Sequence, residues 1–427
     1  MNCRSSFARL LSGNAASGAH YRVLVVGGGT GGLAISSSLS RKLGRDKVAV
    51  IEPSDVHYYQ PMFTLVGSGI KKFEQTRRPM RNVMPRHVTW IQDGASEFDP
   101  DNKTVVTVNG NKLYYDYLVV AAGLQIDVDK IKGLRESIGS GGISTNYLPD
   151  TVQKTWKFLE EFQGGEAVFT FPNSAVKCAG APQKIMYLAE HRFRQRGLRD
   201  KSNVTYYTAL PVIFGAKKYA DRLSEIVDEK SIGVNYRHDL IEIDSTRKEA
   251  VFENLETKEK VVQKYDFMHV TPPMGPMDFL KASPLVDGAG WVDVDKNTLQ
   301  HKRYPNVFGI GDCTNVPTSK TAAAVAGQSG VLKRNLLSHM NGQPLTKRYD
   351  GYTSCPLPVS YGKLLLAEFD FDGQPLETFP INQRKERLAF YIMKREILPH
   401  MYWNYLLKGH WEGTSTVRKL LHLGTSV

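Results

Sequence analysis

The feature that most constrains this chain is a glycine-rich turn between a β-branched run and a helix-forming run, YRVLVVGGGTGG at residues 21–32. Residues 23–26 read as a buried parallel strand, short, β-branched and bounded by glycines. Gly27, Gly29 and Gly32 follow at G-x-G-x-x-G spacing, and residues 33–43 continue as a helix. Gly27 permits the tight turn, Gly29 lets a pyrophosphate approach the backbone, and Gly32 lets helix and strand pack closely. Thr30 and Gly31 lie between them, at the helix N-terminus that would hold the phosphates. Residues 48–51 then form a second strand ending at Glu52, at the distance where a carboxylate accepts hydrogen bonds from a ribose. Strand, glycines, helix, strand and acid in this order predict a dinucleotide site rather than a structural glycine turn.

At 427 residues the chain is too long for one core, and two or three domains are expected. The net charge of +12 favours an anionic substrate or an anionic membrane surface. Lysines and arginines are spread out and no nucleic-acid-binding motif is present, so nucleic acid is not expected as a partner. Cys3, Cys178, Cys313 and Cys355 make no secreted disulfide framework and show no zinc spacing, and the histidines form no ligand cluster. No metal site is expected. The first residues, MNCRSSFARLLSGNAASGAH, carry arginines and serines but no acid. That composition predicts a mitochondrial transit peptide over residues 1–19, the alternative being a disordered tail. No run of eighteen apolar residues exists to span a bilayer.

Beyond Glu52, HYYQPMF at residues 57–63, with Gln60 inside it, reads as a loop over the cofactor, and residues 69–87 are basic and polar. Residues 88–95 read as another strand, ending at Ala95. Residues 104–108 and 112–115 flank Asn109-Gly110, a hairpin signal. YDYLVVAAG, residues 115–123, is a buried strand that stops at Gly123.

The same order recurs. Residues 167–171 read as a strand, 185–195 as a helix, 204–208 as a strand and 226–234 as an approach to another. Residues 250–253 and 260–263 resemble a hairpin, and YDFMHVTPP at residues 265–273 parallels YDYLVVAAG. The expectation is an α/β fold of two Rossmann-like dinucleotide-binding domains with a C-terminal membrane-docking helical region. The first domain takes residues 20–125 and 288–340, the second residues 126–287, and the C-terminal region residues 341–427. The second copy has FPNSAVKCAGAPQK in place of the glycine fingerprint, and its second strand ends in Thr208-Ala209-Leu210 with neither acid nor arginine. A nicotinamide nucleotide is therefore not expected there. NVFGIGD at residues 306–312 returns to the first domain. Asp312 is placed to hydrogen-bond a ribityl hydroxyl, and Lys320, Thr321, Ala322 and Ala323 open a helix whose N-terminus faces a flavin pyrimidine. With the N-terminal fingerprint, this is an FAD signature.

Cys178 lies between a strand and a helix, with Lys177 beside it, Pro182 opening the helix and Lys184 one turn in, an environment that lowers a thiol pKa. Cys355 lies in SCPLP, where two prolines hold the chain extended, as in a loop over a site. The alternative for either is a small buried hydrophobe. Cys313 directly follows Gly-Asp and reads as structural. The motifs VVGGGTGG, HYYQP, KCAGAPQK, GIGDCTNVPTSKTAAA and TSCPLP together resemble the mitochondrial type of sulfide:quinone oxidoreductase over the whole chain after about residue 20.

The resemblance implies non-covalent FAD, because the cysteine that tethers flavin in many bacterial members has no counterpart in the first domain. It implies a sulfur-bridged Cys178–Cys355 pair attacked by hydrosulfide, with the persulfide on Cys355 and Cys178 freed as the thiolate that reduces the flavin. The sulfane sulfur would pass to a small acceptor such as glutathione or sulfite, and the electrons to ubiquinone. Lys184 would keep the field positive for sulfide, its alternative being a solvated helix lysine. From Arg384 onward, Leu388, Tyr391 and Ile392 fall at i, i+3, i+4 with Lys385, Lys394 and Arg395 elsewhere, before Met401, Tyr402, Trp403, Tyr405, Leu406 and Leu407. This mixture suits an interfacial helix, or alternatively a helix packed on the core. The resemblance favours docking at the inner mitochondrial membrane as a peripheral protein, with quinone near Phe390, Tyr391 and Lys394. Two other readings remain: a type II NADH:quinone oxidoreductase, and a non-catalytic FAD-binding partner protein.

Overall fold

The computed structural model describes residues 17–423. Most of the expected transit peptide, Cys3 included, lies outside the described residues. The fold is α/β, with two mainly parallel sheets, smaller antiparallel pairings and a C-terminal helical cluster.

In the first sheet Val88–Ile91, Val48–Ile51, His20–Val26 and Lys112–Val120 run parallel, with Val307–Gly309 added beside the last. VAVI at Val48–Ile51 is buried throughout, as suits a strand covered on both faces. Lys112–Val120 is one strand with two partners. Its first half closes the expected hairpin with Thr104–Thr107, and its second half, YLVV, lies at the sheet centre. The second sheet is wholly parallel, in the order Ile143–Ser144, Phe267–His269, Gly165–Phe171, Ser202–Thr208, Gly233–Tyr236. The chain's two crossings between the sheets pair antiparallel, Gln125–Ile126 with Met274–Gly275.

Some segments fold differently from the sequence expectation. Residues 88–95 are not one strand, because Asp93 takes the Gly94 N–H on its side chain and turns the chain into a separate strand, Ala95–Asp99. Residues 226–234 reach the expected strand only at their end, and they begin in a helix. The helix Lys217–Glu229 buries Tyr219, Leu223, Ile226 and Val227 at helical spacing, and only Gly233–Tyr236 is extended. HYYQPMF is no open loop, since Val56–Tyr58 pairs with Arg77–Pro79 and short helices follow at Gln60–Met62 and Phe63–Gly67.

The C-terminal part is fastened to both sheets. Cys355 is on the strand Thr353–Ser360, paired with Lys363–Phe369, and not on a loop. Alternation explains how SCPLP forms a strand: Cys355, Leu357 and Val359 face the second core, and Pro356 and Pro358 turn away on a two-stranded edge. The helices that follow return to the helix Thr30–Leu43, which comes after the first strand of the first sheet. Its buried Ser37 hydroxyl donates to the Leu407 carbonyl at 2.6 Å and Ser38 to that of Gly409 at 3.2 Å.

Candidate active site

His20–Val26 delivers the chain into Gly27, whose φ of 103° few side chains tolerate. A Cβ at Gly32 would lie 1.8 Å from the Gly27 carbonyl oxygen, whereas nothing lies within 4 Å of the corresponding position at Gly29. The turn is therefore closed toward the protein and open above Gly29. Thr30 opens the helix with no capping side chain, which leaves first-turn N–H groups such as those of Gly31 and Gly32 for a ligand. Glu52 Oε2 accepts the Gly28 N–H at 2.7 Å, and Oε1 accepts that of Ser54 at 2.7 Å. Burial raises its pKa while these two bonds oppose the rise. An open cradle at an uncapped helix start, with a largely enclosed carboxylate beside it, fits the pyrophosphate and ribose of a dinucleotide.

Gly123, at φ 71° and the expected stop of the central strand, lies three residues beyond its observed end at Val120. Gln60 is exposed on its short turn, and Ala95 is buried at the head of the sheet's outermost strand. Asp312 sits in a turn after Val307–Gly309, where burial raises its carboxyl pKa against the charges of Lys320 and Lys177. Lys320 Nζ donates to the carbonyls of Asp312 (2.6 Å) and Thr314 (3.1 Å) and lies 3.9 Å from the Trp291 ring centroid. Its ammonium braces the Gly-Asp turn. Thr321 caps the helix Ala322–Met340 through the Ala324 N–H, so Ala322 and Ala323 form its first turn.

The cysteine loop is docked on this helix start: the Cys178 N–H donates to the Lys320 carbonyl at 2.8 Å. Cys178 is held at φ 53°, in the left-handed region, just before the helix Ala181–Gln195. That geometry sets its Sγ 3.9 Å from Cys355 Sγ and 3.0 Å from Lys184 Nζ. Lys184 is buried, not solvated. The Cys355 thiol hydrogen bond and the Lys184 ammonium hold Cys178 well below the usual thiol range, outweighing burial. Cys355, sharing its proton with that thiolate, is pushed well above it. Burial opposes the Lys184 ammonium, yet the charge on the two sulfurs keeps its pKa above the ordinary lysine value. Burial lowers Lys177 to about 8.

The C-terminal cluster brings a second lysine to the same place. Leu388–Ile392 runs into a π turn, Met393–Ile397, that turns Lys394 inward. Burial and the Lys184 charge lower its pKa to about 7, against the attraction of both cysteine sulfurs. Phe390 and Tyr391 pack on Leu364 and Leu366 of the hairpin. The i, i+3, i+4 stripe is split, with Tyr391 buried and Leu388 and Ile392 exposed beside Ile397 and Tyr405. Among the described residues no helix is long and apolar enough to cross a membrane.

Residues 21–160 match the family described as pyridine nucleotide-disulphide oxidoreductase. The chain is 54% identical to the mitochondrial sulfide:quinone oxidoreductase of Mus musculus, over 95% of this chain and 90% of the mouse protein. To that of Dictyostelium discoideum it is 43% identical, over 93% and 88% respectively. It belongs to the mitochondrial sulfide:quinone oxidoreductase family. The fold is also that of the sulfide:quinone oxidoreductase from Aquifex aeolicus, with a TM-score of 0.78, 21% identity and 96% of each chain covered.

Two features of this sulfide:quinone oxidoreductase family member escaped sequence reasoning. The Tyr147 hydroxyl donates to the Cys178 carbonyl at 3.5 Å, buried beside both sulfurs. His57 joins the Gly28 carbonyl (3.2 Å) to the Tyr402 hydroxyl (2.7 Å), which is itself 2.9 Å from Thr30 Oγ1. This ties the C-terminal cluster to the glycine turn. The only local signals were a histidine soon after the acid and an aromatic run near the end.

Proposed function

We propose that this chain oxidises hydrogen sulfide at the Cys178–Cys355 pair and passes the electrons through FAD to ubiquinone. The observation that carries this reading is the pair itself, two sulfurs 3.9 Å apart with a buried ammonium 3.0 Å from one of them. That gap exceeds the roughly 2.05 Å of a disulfide, while two such bonds meeting at a bent central sulfur span about 3.3 Å, so a single bridging sulfur fits once the two thiols approach by about half an ångström. Hydrosulfide attacks the Cys355 sulfur of the bridge. A new S–S bond forms as the bond from Cys355 to the bridging sulfur breaks, which leaves a persulfide on Cys355 and the bridging sulfur on Cys178 as its persulfide anion. Lys184 stabilises that leaving group electrostatically. The Cys355 persulfide's outer sulfur passes to a small nucleophile, glutathione or sulfite, which leaves Cys355 as thiolate. The bridge then re-forms with the loss of two electrons, for which bound FAD would be the acceptor.

The backbone of Gly27, Gly29, Thr30, Gly31 and Gly32 holds the FAD pyrophosphate, Glu52 a ribose, Asp312 the ribityl chain, and the helix start at Thr321, Ala322 and Ala323 the pyrimidine. Gln60, Ala95, Gly123 and Lys320 complete the cofactor's surroundings. When bound, FAD supplies the two-electron acceptor that links the sulfur pair to quinone. The two sheets correspond to two dinucleotide-binding domains, residues 20–125 with 288–340, and residues 126–287. The second binds no nicotinamide nucleotide, since Cys178, the buried Val176 and the half-buried Lys177 occupy its turn. Residues 1–19 act as the transit peptide. Residues 341–427 dock on the inner mitochondrial membrane as a peripheral attachment through exposed Leu388, Ile392, Ile397 and Tyr405. Quinone lies near Phe390 and Tyr391, with Lys394 positioned to protonate or orient its oxygen.

Steady-state assay of the purified holoprotein tests this. Reduction of a ubiquinone analogue should require sulfide and should yield thiosulfate when sulfite is the acceptor. NADH-driven quinone reduction without sulfide would overturn the reading.

A further inference from the structure

Beneath the helix Pro149–Glu161, the second sheet carries buried polar atoms with no partner in the protein: Ser144 Oγ, both amide atoms of Asn146, Thr155 Oγ1 and His269 Nδ1. Ser144, Thr155 and His269 are fully buried, and Asn146 is 6% exposed. Register places them together. Ile143 and Met268 are partners whose side chains fill one core, so the next pair, Ser144 and His269, shares the opposite face. Thr155 lies on the helix that packs on that face. His269 Nε2 accepts the Asn146 N–H at 3.0 Å, which leaves the ring proton on Nδ1, one of the buried atoms without a partner. Burial drives the His269 pKa down to about 3 and keeps the ring neutral.

Buried polar groups in folded proteins are paired with protein or with water almost without exception. Here several lie together, both donors and acceptors, and a water needs only about two to four such partners. The seam also leads somewhere. Asn146 is followed by Tyr147, whose hydroxyl donates to the Cys178 carbonyl and faces the Thr271 side chain, two residues beyond His269. At the other end Gly67 approaches so closely that an added Cβ would lie 2.1 Å from Asn146 Oδ1.

We infer that this seam binds a short chain of ordered water molecules which, ending at Tyr147, conducts protons away from the Cys178–Cys355 site. The inference rests on the sulfide-oxidising reading above. Hydrogen sulfide that enters the site neutral gives up one proton in becoming the hydrosulfide that attacks the bridge; the second proton goes with the two electrons and would be retained by the reduced flavin. The first proton is released at sulfurs enclosed by the protein and must leave the site. Hydroxyls and water each take one proton and pass one on, so no residue in the seam has to ionise, and His269, its Nε2 occupied by the Asn146 N–H, only donates from Nδ1 and orients the chain. Tyr147, Thr155 and His269 are positioning residues in this scheme.

The test combines crystallography of the FAD holoenzyme with anaerobic stopped-flow of the wild type, Thr155→Val and Thr155→Ser. Ordered water should bridge His269 Nδ1, Ser144 Oγ and the Asn146 amide. Thr155→Val, nearly isosteric, should bind full FAD yet reduce it with sulfide about 10-fold more slowly and with a larger solvent isotope effect, and Thr155→Ser should restore both. Ser144→Ala serves as a second variant with the same expectation. A dry seam with re-paired side chains, or valine and alanine variants with wild-type rate and isotope effect, would overturn the relay. Wild-type flavin that sulfide does not reduce would instead overturn the function itself, and the relay with it.

Discussion

The two parallel sheets present the same strand–turn–helix unit and use it for opposite ends. After His20–Val26 the turn is stripped of side chains, and Gly32 cannot carry even a Cβ beside the Gly27 carbonyl. After Gly165–Phe171 the turn is filled, with Val176 buried, Lys177 half-buried and Cys178 forced into the left-handed region. The strand next to the first unit leads into Glu52, whereas the strand next to the second ends in Thr208. A helix start attracts negative charge in both. In one unit the open space would let a phosphate use that field; in the other a built-in side chain would use it for a thiolate.

If the two turns have these separate roles, substitutions should separate flavin binding from sulfur chemistry. The largest effect belongs to Gly32→Ala, which should yield protein without flavin, read from the visible spectrum after purification. Cys178→Ser should keep full flavin but lose sulfide-dependent turnover by roughly 1,000-fold or more. Loss of flavin in the cysteine variant would break the comparison. Gly180→Ala comes next. Its Cβ would lie 2.4 Å from Cys355 Sγ and 2.9 Å from Leu357. Flavin content should stay normal while sulfide reduction slows by about 100-fold, as expected for a reacting atom displaced by about an ångström.

Lys184→Met sharpens the electrostatic side. Removing the ammonium 3.0 Å from Cys178 should raise the apparent thiol pKa and slow flavin reduction at neutral pH about 10-fold, with recovery at higher pH. The smallest effect concerns Lys394 and stability. Its folded pKa is about 7, below the ordinary lysine value of 10.5. The unfolded chain therefore binds the extra proton between those values, and native stability rises with pH across that window. The penalty is full below pH 7 and shrinks toward 10.5. Lys394→Met should thus raise Tm more at about pH 6 than at about pH 9, checked by calorimetry of the holoprotein.

What could be read from the sequence was whatever leaves a local trace. The glycine turn did so because a steric limit on the backbone excludes other residues. The order of strands and helices did so through hydrophobic period. Cys178 stood out by its neighbours, but its backbone angle has no sequence mark. The approach to a strand over residues 226–234 holds only from Gly233, because the β-branched Ile226 and Val227 belong to a helix whose burial follows the helical period through Tyr219 and Leu223. The prolines of SCPLP suggested a loop because an edge strand that alternates proline with inward residues looks the same locally. Whether Lys184 is solvated, and whether Lys394 faces inward through a π turn, depend on packing between segments far apart. So do the contacts of His57 with Tyr402 and of Tyr147 with Cys178.

The most direct test of the central claim is anaerobic. Sulfide and NADH are added separately to the oxidised holoprotein and to Cys355→Ser, and the flavin absorption is followed. The account predicts bleaching by sulfide alone in the wild type, reversal by a ubiquinone analogue, and no sulfide bleaching in the variant. Bleaching by NADH, or a variant that sulfide reduces as fast as the wild type, would contradict it.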